Sequence, residues 1–193
     1  MKKLLFILGF FACQASAQKL PDYGQNKVRI SQEERTLQFE TIPVTSVPAV
    51  RAEKTYYWYS ANGIHTTQGG FSGKLLNGSY RAYYPNKNLK EAGTFYAGLK
   101  DGLWKSWKED GTLTREVSWK RGVRSGRFVL YNDSGQVNTA GQYKNNVMDG
   151  HVRFSAGKDS TRVVRYQNGK IVPEKAPLLQ RINIFRKKDR KTR

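Results

Sequence analysis

From residue 55 onward the apolar and polar positions recur with a period of 24. Gly78, Gly102, Gly126 and Gly150 are evenly spaced, and the residues before them are Asn77, Asp101, Ser125 and Asp149. They divide the chain into units 55–78, 79–102, 103–126 and 127–150. Counted within a unit, position 2 is Tyr56, Tyr80, Trp104 and Phe128, and position 5 is Tyr59, Tyr83, Trp107 and Tyr131. Position 11 is His65, Leu89, Leu113 and Val137, and position 17 is Phe71, Phe95, Trp119 and Tyr143. Position 21 is Leu75, Leu99, Val123 and Val147. Agreement over five columns marks an internal repeat, the signature of an array in which each unit stacks on its neighbours. A fifth, worn unit runs from His151 to about Val172, with Phe154, Tyr166 and Gly169 in register after one deletion.

Each unit reads as a β-hairpin. Positions 8 and 9 are Asn62-Gly63, Asn86-Lys87, Asp110-Gly111 and Ser134-Gly135, the chemistry of a two-residue hairpin turn with positive φ. The strand that follows alternates, with Leu89, Gly93 and Phe95 on one face and Lys90, Ala92 and Thr94 on the other. Glycine at position 15, as Gly69, Gly93 and Gly141, makes room for a neighbouring ring; Val117 breaks that column. A second turn, longer and rich in Gly and Asn ("YAGLKDG", "YKNNVMDG"), leads into the next hairpin. The predicted fold is all-β: an elongated single antiparallel sheet of about five 24-residue hairpins over 55–172, paired edge to edge. It grows by roughly 10 Å per unit, or about 50 Å in all.

Two stretches, "GSYRAYYPNKNLKEAGTFYAG" and "GLWKSWKEDGTLTREVSWKRG", resemble the bacterial variant of the MORN repeat, with its glycine, paired aromatics, Asn/Asp-Gly, leucine, aromatic and glycine. The resemblance covers about 55–172 and extends to exported bacterial proteins of the YwqK-like group. It implies a β-hairpin solenoid with a binding or scaffolding role and no catalytic centre. The group's frequent label, antitoxin of a toxin–antitoxin pair, is the alternative it brings, and an export signal fits that label poorly.

Such a signal heads the chain. "MKKLLFILGFFACQASA" has Lys2 and Lys3, an apolar run from Leu4 to Ala12 and the small-residue end Ala15-Ser16-Ala17, the layout of a secretory signal peptide over 1–17. The expected location is exported: periplasmic, associated with the outer membrane, or secreted. The only cysteine, Cys13, lies inside the signal, so the mature chain forms no internal disulfide. Lipidation at Cys13 fits poorly, because Phe10 and Phe11 stand before it.

Charge adds a class of partner. The formal net charge is +19, from 34 Lys+Arg against 15 Asp+Glu; removal of Lys2 and Lys3 with the signal leaves +17. That excess favours polyanions, and export directs attention to acidic polysaccharide or lipopolysaccharide rather than intracellular nucleic acid. Position 3 supplies Arg81 and Lys105, with Arg153 near the equivalent place, and in strand geometry these share a face with Tyr83, Trp107 and Tyr131. Alternating cations and rings form one candidate ligand face. Rings three apart in a strand cannot both face one core without a bulge, so the pattern leaves open which ring column is buried.

The flanks differ in character. Residues 18–54 include "TIPVTSVPAV", an extended edge strand or a tether. Residues 173–193 form a basic tail containing Arg181, Arg186, Lys187, Lys188, Arg190, Lys191 and Arg193, a solvated end or a contact for polyanions and the membrane surface. Two histidines and no mature cysteine leave little for acid-base or nucleophilic catalysis; His65 reads as a substitution in an aliphatic column, and no unit has the carboxylates of a calcium site. The expectation is a non-catalytic protein without cofactor or metal, binding an envelope protein or an acidic polysaccharide.

Overall fold

The computed structural model describes residues 26–42, 49–155 and 160–173; the signal segment 1–17, Cys13 and the basic tail 181–193 lie outside them. Fourteen strands and no helix make up the described residues. They are β1 (Lys27–Gln32), β2 (Arg35–Thr41), β3 (Thr55–Ser60), β4 (Gly63–Gln68), β5 (Lys74–Tyr83), β6 (Leu89–Tyr96) and β7 (Leu99–Trp107). There follow β8 (Leu113–Lys120), β9 (Val123–Tyr131), β10 (Val137–Lys144), β11 (Val147–Met148), β12 (Gly150–Ser155), β13 (Thr161–Gln167) and β14 (Lys170–Ile171). All pair antiparallel in one open sheet whose main path is β1-β2-β5-β6-β7-β8-β9-β10-β12-β13-β14.

The turns exchange the roles expected of them. The tight two-residue turns lie late in each unit, at Ala97-Gly98, Arg121-Gly122, Asn145-Asn146 and Asn168-Gly169, and every residue of them has positive φ, as a type I′ turn requires. The turns around positions 8 and 9 are the longer ones. Gly111 N–H donates to Lys108 O and Lys108 N–H to Thr112 O, with the same pairing at Tyr84–Asn88 and Asn132–Gln136. Only their third loop residue, Lys87, Gly111 or Gly135, has positive φ, so Asp110 works through its side chain, which accepts from Thr112 N–H at 2.8 Å. In the first unit the tight turn is Ala61-Asn62, between the paired Ser60 and Gly63.

The 24-residue glycine has a different task. Gly102 (φ +68) lies where the β6–β7 register jumps from Ala92↔Lys105 to Thr94↔Asp101, a bulge that re-aims the strand. No atom would meet a Cβ there, so the backbone angle selects glycine. The residue before it bonds to the next unit: Asn77 Oδ1 accepts from Ala97 N–H, Asp101 Oδ1 from Arg121 N–H and Asp149 Oδ2 from Asn168 N–H. One residue further back, Leu76 O, Lys100 O, Arg124 O and Met148 O accept from Gly98, Gly122, Asn146 and Gly169 N–H at 2.7–3.0 Å. Each tight turn is thereby latched to the bulge of the preceding unit.

Cross-strand register settles the two faces. Val28, Phe39, Tyr80 and Gly93 follow one another across β1, β2, β5 and β6, and Trp104, Val117, Phe128 and Gly141 do so across β7 to β10. This inner face carries the position-2 rings; Trp104 is 3% exposed and Phe128 fully buried. The Trp104 indole occupies the space where a Cβ on Gly93 would stand, as the glycine column anticipated, and at Gly141 the Phe128 ring and Val152 together crowd that place. Gly69 faces the Ala52 backbone instead. Bulges between Ala82 and Tyr83, Ser106 and Trp107, and Val137 and Thr139 pair Leu89, Leu113 and Val137 with the position-5 rings. Position 11 therefore leaves the face of positions 15 and 17, contrary to simple alternation.

The first unit does not continue the sheet edge to edge. β2 holds the edge of β5, pairing Leu37 with Ala82 and Phe39 with Tyr80, while β3 and β4 form a hairpin tied to β5 only through Trp58↔Leu75 and Tyr59↔Lys74. That hairpin folds onto the inner face: Tyr57 packs on Phe95 (5.0 Å), Tyr59 on Phe39 (5.4 Å), and Tyr57 N–H donates to Gly98 O. β2 brings two large apolar side chains, Leu37 and Phe39, to that edge, whereas β4 is polar apart from Ile64; burial decides which strand occupies it. His65 lies on this hairpin, stacked on Trp58 at 4.5 Å. Beneath it is the core of Ile30, Leu37, Phe39, Leu76, Ala82, Phe95 and Trp104. Residues 27–41, within the segment read as extended, are thus a hairpin integral to the sheet; 43–48 of "TIPVTSVPAV" lie outside the described residues.

Candidate functional site

The outer face gathers the six residues singled out from the repeat. An unbroken cross-strand row runs from Arg29 on β1 to Val163 on β13 and contains Arg81, Lys105 and Arg153. Two residues beyond Arg81, Lys105 and the row's Val129, on β5, β7 and β9, stand Tyr83, Trp107 and Tyr131. Bulges place an aliphatic partner opposite each ring: Leu89 for Tyr83, Leu113 for Trp107 and Val137 for Tyr131. All three rings are half-buried and Val137 is exposed. They are two strands apart, about 10 Å, so the stripe crosses the middle of the sheet.

The cations of this face are less free than the sequence suggests. Lys105 Nζ lies 2.8 Å from Glu116 Oε1, its neighbour in the row, and the next strand presents Val129 where another cation would continue the series. Burial first, and the Glu116 carboxylate second, raise the Tyr131 phenol pKa. Arg81 and Arg153 stand exposed, separated by the strands that carry Lys105, Glu116 and Val129.

A second feature lies on the inner face, where the β3–β4 cover ends. A cleft of about 450 Å³ opens beside Thr55 and Tyr57 of β3, over Val117, Trp119 and Leu130. Arg115, Arg124, Tyr143 and Asn146 line its far parts. Lys100 lies deep in it, 3.0 Å from Glu91 and 3.8 Å from the Trp104 ring centroid. Burial lowers its pKa, and Glu91 works in the opposite direction. Arg115 Nε donates to Ser106 Oγ at 3.0 Å, with its NH2 3.9 Å from Glu91. Arg124 donates to Asn146 O at 3.0 Å and lies over the Tyr143 ring at 4.7 Å.

Sequence reasoning did not single out this cleft, although a signal was present. Position 22 is Lys100 in one unit and Arg124 in the next, while position 17 is Trp119 and then Tyr143. Each cation lies over the position-17 ring of the following unit, at 5.6 and 4.7 Å. A column compared with its neighbour 19 residues later would have revealed the pairing. The tail cations Arg181, Arg186, Lys187, Lys188, Arg190, Lys191 and Arg193 lie outside the described residues. Among the described residues no group of three or more His, Cys, Asp or Glu is placed to hold a metal ion.

The pattern of the MORN repeat variant matches residues 76–95 and 100–121, the two units whose long strands are β5 and β7. No curated protein matches the chain. Repeats of this kind are commonly binding and scaffolding modules.

Proposed function

From a chain that carries MORN repeat variants, we propose an exported, non-catalytic binding module of a bacterial cell envelope that holds a protein partner on the outer face of its sheet. The observation that carries this reading is the stripe of ring–aliphatic pairs, Tyr83–Leu89, Trp107–Leu113 and Tyr131–Val137. Aromatic side chains and arginine are enriched at protein interfaces, where they serve as anchors, and Arg81 and Arg153 flank the stripe. A polyanion on this face is the weaker reading: Lys105 is bound to Glu116, and Val129 interrupts the row. Export rests on the layout of residues 1–17, and it favours an envelope partner over an antitoxin role and over intracellular nucleic acid.

A photo-crosslinking amino acid in place of Trp107, compared with one in place of the inner-face Arg115, tests the reading in intact cells of the source organism. The expected result is one discrete protein adduct at 107, unchanged between low and moderate salt, and a mature N-terminus at Gln18. Equal adducts at both positions, or an adduct whose yield falls steeply when salt is raised before irradiation, would overturn the protein-docking reading. An uncleaved N-terminus would overturn export.

A further inference from the structure

We infer that the inner-face cleft is a binding site for a short acidic oligosaccharide, a chain of sugar rings bearing carboxylates. The inference stands apart from the protein-docking reading, because the cleft lies on the opposite face and shares no residue with the ring stripe. β3 covers the inner face only as far as Tyr57, and its edge forms one wall. Beyond it, Val117, Trp119 and Leu130 form a floor on β8 and β9.

A guanidinium stands at each end of that floor. Arg115 and Trp119 are four residues apart on β8, and Arg124 is the cross-strand partner of Trp119, so the two arginine positions are separated by roughly 14 Å along the strand. Each is held by a hydrogen bond, Arg115 through Nε to Ser106 Oγ and Arg124 through one terminal nitrogen to Asn146 O. The Arg115 side chain is 57% exposed. Forks fixed in this way are preorganised for carboxylates. The buried Lys100 does not compete for that role, since its ammonium is matched to Glu91 within the wall.

The backbone argues for sugar over peptide. An extended peptide gains affinity by adding a strand to a sheet edge, but the floor strands β8 and β9 lie in the interior of the sheet with both neighbours in place. A ligand here is recognised by side chains alone: rings, guanidiniums, the Thr55 and Ser106 hydroxyls and the Asn146 amide, with the Glu53 carboxylate at the rim and Glu91 held by Lys100 at 3.0 Å and 3.9 Å from Arg115. Those groups suit a molecule with apolar C–H faces, hydroxyls at its rim and acids at intervals. Spacing of the acids over two ends, rather than at one point, selects a chain over a single acidic sugar.

The test is calorimetric titration of the full mature chain with tetragalacturonate, with maltotetraose as the neutral ring control and tetraglutamate as the acidic control without rings. Binding is expected for tetragalacturonate and not for the two controls. The double variant Arg115→Gln/Arg124→Gln should weaken it by about tenfold or more, while Arg81→Gln/Arg153→Gln, which removes equal charge from the outer face, should change it by less than about twofold. Trp119→Ala should weaken binding as well and Trp119→Phe should retain most of it; if the alanine variant does not fold, the phenylalanine and arginine variants carry the test. Equal losses in the two arginine doubles, tetraglutamate binding as tightly as tetragalacturonate, or no binding of tetragalacturonate would each overturn the inference.

Discussion

Replacing Asp101 by alanine removes one latch between consecutive repeats. Its Oδ1 accepts from Arg121 N–H at 2.8 Å, and Arg121 opens a tight turn with φ +45, a conformation that a side-chain-bearing residue adopts at a cost. Hydrogen bonds to charged acceptors contribute about 1.5–3 kcal/mol. The turn is exposed, so water takes over part of the bonding in the variant, and the Gly122 N–H to Lys100 O bond at 2.8 Å remains. The expected loss is therefore about 1–1.5 kcal/mol, at or below the lower end of that range. For a repeat domain of this size it lowers the melting temperature by roughly 3–6 °C. Scanning calorimetry measures the shift, and hydrogen exchange at the Arg121 amide reports the local opening. Asp101→Asn is the decisive companion: it removes the same charge but keeps a carbonyl acceptor, as Asn77 does toward Ala97 N–H, so it should retain most of the stability. Equal losses for the two variants would show that charge rather than the latch matters, and no loss for alanine would refute the reasoning altogether.

The Tyr80 phenol is pushed up to about 12, first by burial and then by the Glu91 carboxylate. The unfolded phenol ionises near the ordinary tyrosine value of about 10 while the folded one stays protonated, so the folded state binds more protons and stability falls as pH rises from 10 to 12. That fall is about 2 kcal/mol across the window; Tyr80→Phe should remove this contribution, and urea melts at both ends of the window compare the slopes. Deleting the whole unit 103–126 joins Gly102 to Arg127 in the same repeat phase and should leave a shorter folded protein, whereas deleting half a unit reverses the pairing downstream and should unfold it. Circular dichroism melts separate these outcomes, and equal unfolding of both would contradict independent repeats. Deleting residues 181–193, which hold seven basic residues and one acid, should weaken heparin binding and flatten its dependence on salt; an unchanged slope would mark the tail as idle in polyanion contact.

The repeat itself was legible because its requirements are local. Positive φ in the tight turns and in the Gly102 bulge, the Asx acceptor before that glycine, and the ring over Gly93 all arise within one unit or between adjacent ones, and residue types recurring every 24 positions report them directly. The antiparallel single-sheet architecture follows, as does the shared outer face of Arg81, Tyr83, Lys105, Trp107, Tyr131 and Arg153. Strand parity was less legible. A bulge at Lys90, Thr114 or Asn138 changes which face a side chain occupies, and a bulge exists only relative to the paired strand. That is why the buried ring column emerges only from the register and why Leu89, with Leu113 and Val137 in the same column, takes the face opposite to the one that simple alternation predicts. The longest-range features belonged to tertiary structure alone. β2 takes the edge of β5 across more than a full repeat of chain because Leu37 and Phe39 bury there, and the displaced first hairpin then covers the inner face over Phe39 and Phe95. The cleft beside it draws on β3 and β6 to β10 and is bounded by the edge of that cover; no periodicity encodes it, because it exists where the period is broken.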